Sequence, residues 1–199
     1  MSRLIKYAAA VALAVLATAG GTATWAAFTG TTANAGNSVT SGTVALSDND
    51  SDTAIFSLSG MTAASTDTGC IKLTYGGSLA SQVRLYGTTT GTGLDPYLSV
   101  TVTRGTFTPS DPAFDSCTNF SADSTTYITG QAPGVIYAGT LQDFPDTYAA
   151  GIVDPTSGTP ESWTTSESHV YKVQVAVGDE DGAEGKNATQ TFTWEARNN

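Results

Sequence analysis

Apolar and polar residues alternate with period two along much of the chain. Leu98, Val100 and Val102 alternate with Ser99, Thr101 and Thr103, and Tyr171, Val173, Val175 and Val177 alternate with Lys172, Gln174 and Ala176. Phe192, Trp194 and Ala196 alternate with Thr191, Thr193 and Glu195, and shorter versions occur at Ile71, Leu73, Tyr75 and at Val83, Leu85. Each run offers one apolar face and one Thr-rich face, which is what a half-buried antiparallel strand needs. Residues 38–46, 54–58, 127–129 and 135–141 are further strand candidates. Breakers lie between them: Gly76 with Gly77, residues 88–93, residues 109–112, Asp154 with Pro155, and residues 178–185. About eight or nine short strands with such punctuation predict an all-β fold, a jelly-roll or Greek-key β-sandwich. Residues 141–150 have room for a helical turn or two, and no fixed-period repeat is present.

The N-terminus follows a different pattern. Arg3 and Lys6 precede an uncharged apolar run over residues 7–19, which breaks at Gly20 and Gly21. A helix of that length rises only about 20 Å, short of a hydrocarbon core of roughly 30 Å. The pattern predicts a cleaved secretory signal peptide over residues 1–26, with Thr24 and Ala26 as the small residues before the cut and Ala27 as the new N-terminus. Residues 27–37 are uncharged, Thr-rich and carry one aromatic, Phe28. They are either a frayed terminus or an extended arm able to add as a strand to another subunit. Residues 38–199 then form the β-sandwich domain, and membrane contact is expected only during export.

Composition narrows the function. The 199 residues carry 18 Asp+Glu against 8 Lys+Arg, a formal net charge of −10. Loss of Arg3 and Lys6 with the leader leaves 6 basic side chains and a charge of −12. Such acidity, with its few cations scattered, excludes a nucleic-acid binder. In an oxidising compartment Cys70 and Cys117, the only cysteines, are expected to pair. Free thiols and intermolecular bridges are the alternatives.

Little in the sequence points to catalysis. His169 is the sole histidine, so a His-Glu-x-x-His zinc site cannot form, and no Gly-x-Ser-x-Gly elbow occurs. As a strand-edge residue it is expected to serve hydrogen bonding. Asp48, Asp50 and Asp52 have the opening spacing of a calcium loop, but Thr53 and Ser59 stand where an EF-hand has Gly and Glu. They, and the acidic group Asp179, Glu180, Asp181 and Glu184, are candidates for a weak calcium site of another kind; otherwise they are solvated turns. No other cofactor is expected. Asn119 and Asn187 head glycosylation sequons, which mark surface positions.

One resemblance covers nearly the whole chain. The leader end GGTATWAAF (residues 20–28), the following NSVTSGTVAL (37–46), and the C-terminal YKVQV (171–175) and GKNATQTFTWEA (185–196) resemble the TasA/camelysin (CalY) family of exported bacterial proteins. CIKLTY (70–75) with VRLY (83–86) looks like the family's middle strands. The resemblance implies a jelly-roll fold and a dedicated signal peptidase cutting between Ala26 and Ala27. It also implies subunits that join into biofilm-matrix or cell-surface fibres by lending the new N-terminal strand to the next copy. Ala27, Phe28, Thr29, Gly30, Thr31 and Thr32 would begin that donor strand. The metallopeptidase label of some members finds no visible zinc site here. The leading expectation is therefore a secreted, non-enzymatic structural protein whose partner is itself. An exported hydrolase and a monomeric surface adhesin are the alternatives.

Overall fold

A computed structural model describes residues 42–56, 62, 64–155, 160–178 and 181–198. The expected signal peptide, with Ala26, and the arm from Ala27 to Thr32 and beyond lie outside the described residues.

Nine strands make up the described chain: β1 Leu46–Asp48, β2 Thr66–Tyr75, β3 Ser81–Gly91, β4 Leu98–Phe107, β5 Phe120–Ala122, β6 Val135–Thr140, β7 Ile152–Val153, β8 Ser168–Val177 and β9 Ala188–Asn198. All ladders are antiparallel. One sheet runs β1-β2-β8-β4, and the far edge of β4 is shared between β6 and β5. The other sheet runs β7-β3-β9. The architecture is all-β, as expected, and agrees with a β-sandwich. Among the described residues the only helical pieces are two single 3₁₀ turns, Asp95–Tyr97 and Asp181–Ala183.

The two sheets share one apolar core. Ile71, Leu73 and Tyr75 of β2, Val100 and Val102 of β4, and Tyr171, Val173 and Val175 of β8 pack with Val83 and Leu85 of β3. These are the apolar halves of the period-two runs, brought face to face because one-sided strands bury their surface only against another layer. Tyr75 is fully buried, its hydroxyl donating to the Leu79 carbonyl and lying 2.8 Å from Ser81 Oγ. Ser81 Oγ also reaches that carbonyl at 3.2 Å, so the acceptor stays partnered without the phenol. Tyr75→Phe should therefore cost only about 1 kcal/mol in urea unfolding.

Several strand expectations need correction. Only Leu46 of the 38–46 candidate lies in a strand; residues 42–45 do not, and 38–41 lie outside the described residues. Residues 54–56 and 127–129 are irregular, and residues 141–150 form turns without a helix. Within the expected breaker at 88–93, Thr88–Gly91 continue β3, paired with Ala188–Thr191. Their β-branched side chains suit the ladder, and the partner strand outweighs the Gly at each end.

Candidate functional site

Two features stand out: a charged cluster between the sheets on one side, and on the other, beside a groove, a strand edge that is unpaired among the described residues.

The cluster centres on Arg104. The inward row Leu98, Val100, Val102 of β4 continues onto Arg104, and the inward row of β8 begins at His169 before Tyr171. Arg104 lies opposite Tyr171 in the ladder. Its backbone is clasped by a loop, with Arg104 N donating to Gly134 O at 2.8 Å and Asp123 N donating to Arg104 O at 3.0 Å. Gly134 has φ 81°, and a Cβ there would meet the Arg104 carbonyl at 2.7 Å, so both backbone conformation and close approach require glycine.

The guanidinium reaches in three directions. Nη1 donates to Asp123 Oδ2 at 2.5 Å and Tyr127 Oη at 3.3 Å. Nη2 donates to Glu161 Oε2 and to Asp154 Oδ2, the latter at 3.3 Å, and lies 2.8 Å from His169 Nε2. Nε lies 2.8 Å from Asp154 Oδ1 as an ion pair without hydrogen-bond alignment. Asp154, directly after β7, also accepts from Trp163 Nε1 at 2.6 Å and Tyr171 Oη at 2.7 Å. His169 Nε2 lies 3.0 Å from Glu167 Oε1, and its ring stands edge-on to Trp163. The side chains of Arg104 and Asp154 are 7% and 2% exposed, so the central pair is cut off from water.

The electrostatics follow from that burial. Burial disfavours the Arg104 cation, but Asp154, Asp123, Tyr171 and Glu161 outweigh it and hold the guanidinium firmly charged. Burial, then Asp154, drives the Tyr171 phenol well above its ordinary range. Burial also raises Glu167, but hydrogen bonds from His169 and Thr164 more than reverse this and leave it below the usual carboxylate value.

Asp154, Glu161 and His169 place ligand atoms within 4.8 Å of one another, which is the spacing of a small metal site. Arg104 contacts all three groups. A resident guanidinium already supplies the cation, and the Asp154 oxygens are taken by Trp163, Tyr171 and Arg104. The arrangement fits an ion-pair clamp rather than a metal centre. For His169, the expected hydrogen-bonding role agrees with this geometry.

The calcium candidates are arranged otherwise. Asp48 Oδ1 accepts from Asp50 N at 3.2 Å and Asp50 Oδ1 from Asp52 N at 2.8 Å, so the side chains cap their own turn. Among the described residues their carboxylates do not converge with those of a third ligand. Burial, then the neighbouring Asp50 and Asp52, raises Asp48 above the ordinary carboxylate value. Asp179 and Glu180 lie outside the described residues. Cys70 and Cys117 are joined, with Cα atoms 5.2 Å apart.

The second feature is the edge of β9. This 11-residue strand pairs with β3 alone among the described residues. The other sheet edges are short or covered: β7 has 2 residues, β1 and β5 have 3 each, and β6 has 6. Past β1, the edge of β2 is capped by Asp115 O accepting from Cys70 N and by Asn49 Oδ1 accepting from Lys72 N. Beside β9 runs a groove of about 240 Å³ between the two sheets, walled by Leu46 and Asp48 of β1, Ile71 and Leu73 of β2, and Phe192 and Trp194 of β9. The buried Trp194 Nε1 has no hydrogen-bond partner among the described residues.

No protein-family model matches the chain, and a search of curated proteins returns no match either.

Proposed function

We propose that this protein is an exported, non-enzymatic structural subunit that assembles into cell-surface or matrix fibres by strand addition at the edge of β9. The 11-residue edge of β9, unpaired among the described residues, carries this reading. An unpaired row of backbone N–H and C=O groups is a template for another strand, and soluble proteins ordinarily shorten or cover such edges. In this reading residues 1–26 are removed by a dedicated signal peptidase and residues 27–37 form the arm, as in the TasA/camelysin proteins the sequence resembles. The jelly-roll β-sandwich of residues 38–199 supplies the acceptor. An uncharged 11-residue arm, extended, spans about 36 Å, the same as β9. The groove beside β9, with Leu46, Ile71, Phe192 and Trp194 among its walls, gives its alternate side chains a place to bury. Lending the arm to the next copy makes a head-to-tail contact, which propagates into a filament.

Purified protein beginning at Ala27 should form filaments visible by electron microscopy. Removal of residues 27–37 should leave a folded monomer that forms none, and a peptide of residues 27–37 added in trans should restrain growth of the intact protein. Filaments of unchanged morphology from the shortened chain would overturn the strand-addition reading.

A further inference from the structure

The Arg104 cluster holds more carboxylates than its cations balance, and it ties the two sheets together. Arg104 stands on β4 and His169 on β8 of the first sheet. Asp154 directly follows β7 of the second sheet, and Trp163, two residues beyond Glu161, pairs through its backbone with Ser81 of β3. Asp123, Asp154, Glu161 and Glu167 thus face one guanidinium and one imidazole. Even an imidazolium at His169 would leave two uncompensated negative charges if every carboxyl were ionised. Crowded, half-buried carboxylates do not all ionise together; one of them keeps its proton.

Hydrogen bonding selects which one. Asp154 is fully engaged by Trp163, Tyr171 and Arg104, and Asp123 Oδ2 accepts from Arg104 and, at 2.7 Å, from Tyr127. Glu167 Oε2 accepts from Thr164 N at 2.8 Å and Thr164 Oγ1 at 3.2 Å, and its Oε1 meets His169. Glu161 has Arg104 alone as a donor, with His169 Nε2 3.9 Å away. Its ionised form adds a negative charge that the two cations cannot balance, and its acid form adds none. We propose that Glu161 is the proton-carrying pin of a bolt between the two sheets, closed while its carboxyl is protonated and loosened as it ionises.

The electrostatics agree with that geometry. Burial pushes Glu161 up to about 7, against the pull of Arg104 and with help from Asp154 and Glu167. Because the folded value exceeds the unfolded one, the proton's contribution to stability is complete below the unfolded carboxyl range. It is lost as pH rises to about 7, and is level beyond.

Carboxyl ¹³C NMR of the folded protein, with Glu161→Gln to assign the signal, tests the idea. One Glu side-chain resonance should titrate near neutrality and be missing from the variant. In urea, the unfolding constant of the unaltered protein should rise with pH by at most about tenfold per unit between about pH 5 and pH 7, and Glu161→Gln should remove that slope. The proposal is overturned if every glutamate titrates below about pH 5.5, or if the neutral step persists in Glu161→Gln. The titration of the unaltered protein decides the matter even if the variant folds poorly.

Discussion

Replacing both Cys70 and Cys117 with serine should destabilise the protein by about 4 kcal/mol in urea unfolding, with a fall in Tm of roughly 8–16 °C. The bond closes a loop with a sequence separation of 47. In the chain-entropy account, a closure of that length is what the unfolded chain regains on losing the bridge. The folded side loses a tether as well. Cys70 is 1% exposed in β2, whereas Cys117 belongs to the loop that brings Asp115 onto the β2 edge. Besides the Cys70 N to Asp115 O hydrogen bond, the Lys72–Asp111 ion pair at 2.6 Å also joins that loop to β2. Its carboxylate is half exposed, so solvent and salt screen it and Lys72→Ala should change stability by under about 0.5 kcal/mol. A double serine variant within about 1 kcal/mol of the parent would mean that the loop holds to β2 without its bridge.

The long strands were legible because each buries one face. Burial of one face writes period two into the sequence, and β2, β3, β4, β8 and β9 all lie where such runs occur. The short strands have no such signature: β5 and β7, with 3 and 2 residues, exist because longer neighbours offer them an edge. Part of the charged cluster was also within reach. Carrying the alternation of Leu98, Val100 and Val102 two residues further puts Arg104 on the inward row, and carrying that of Tyr171 and Val173 two residues back does the same for His169. A charge on a core-facing row demands partners. Which partners answer was not legible, because Asp123 comes from the loop after β5 and Asp154 and Glu161 from the connection between β7 and β8, and they meet only through the folding of the sheets. That β9 has one partner strand among the described residues was hidden for a similar reason. Its residues alternate like those of any strand, and which neighbours a strand has is a property of topology.

The two candidate features sit on opposite sides of the same layers. In the β7-β3-β9 sheet, the Arg104 cluster receives Asp154 from the β7 side, while the groove lies along β9. One side is bolted by polar contacts, and the other has a groove of mixed walls beside a strand edge that is unpaired among the described residues. A strand entering at β9 could therefore pair without breaking the cluster. Assembly and the Glu161 titration are accordingly expected to vary independently, and each has its own readout.

Arg104→Met should destabilise the protein by about 3–5 kcal/mol, the cost of leaving buried carboxylates without their cation. The methionine fills a similar volume, so the loss reports charge rather than a cavity. Asp154, 2% exposed, would keep Trp163 and Tyr171 as donors but have no counter-ion. Arg104→Lys should recover less than half of the loss. A single ammonium cannot face Asp123, Asp154 and Glu161 at once, whereas the planar fork meets each with a different nitrogen. The carboxylates act as a unit, so the losses should not add. Glu161→Gln should cost less in the Arg104→Met background than in the parent, because the Arg104–Glu161 contact it weakens is already gone. Urea unfolding of the single and double variants gives this coupling directly. An Arg104→Met protein within about 1 kcal/mol of the parent would show that water reaches the cluster and that the guanidinium is no clamp.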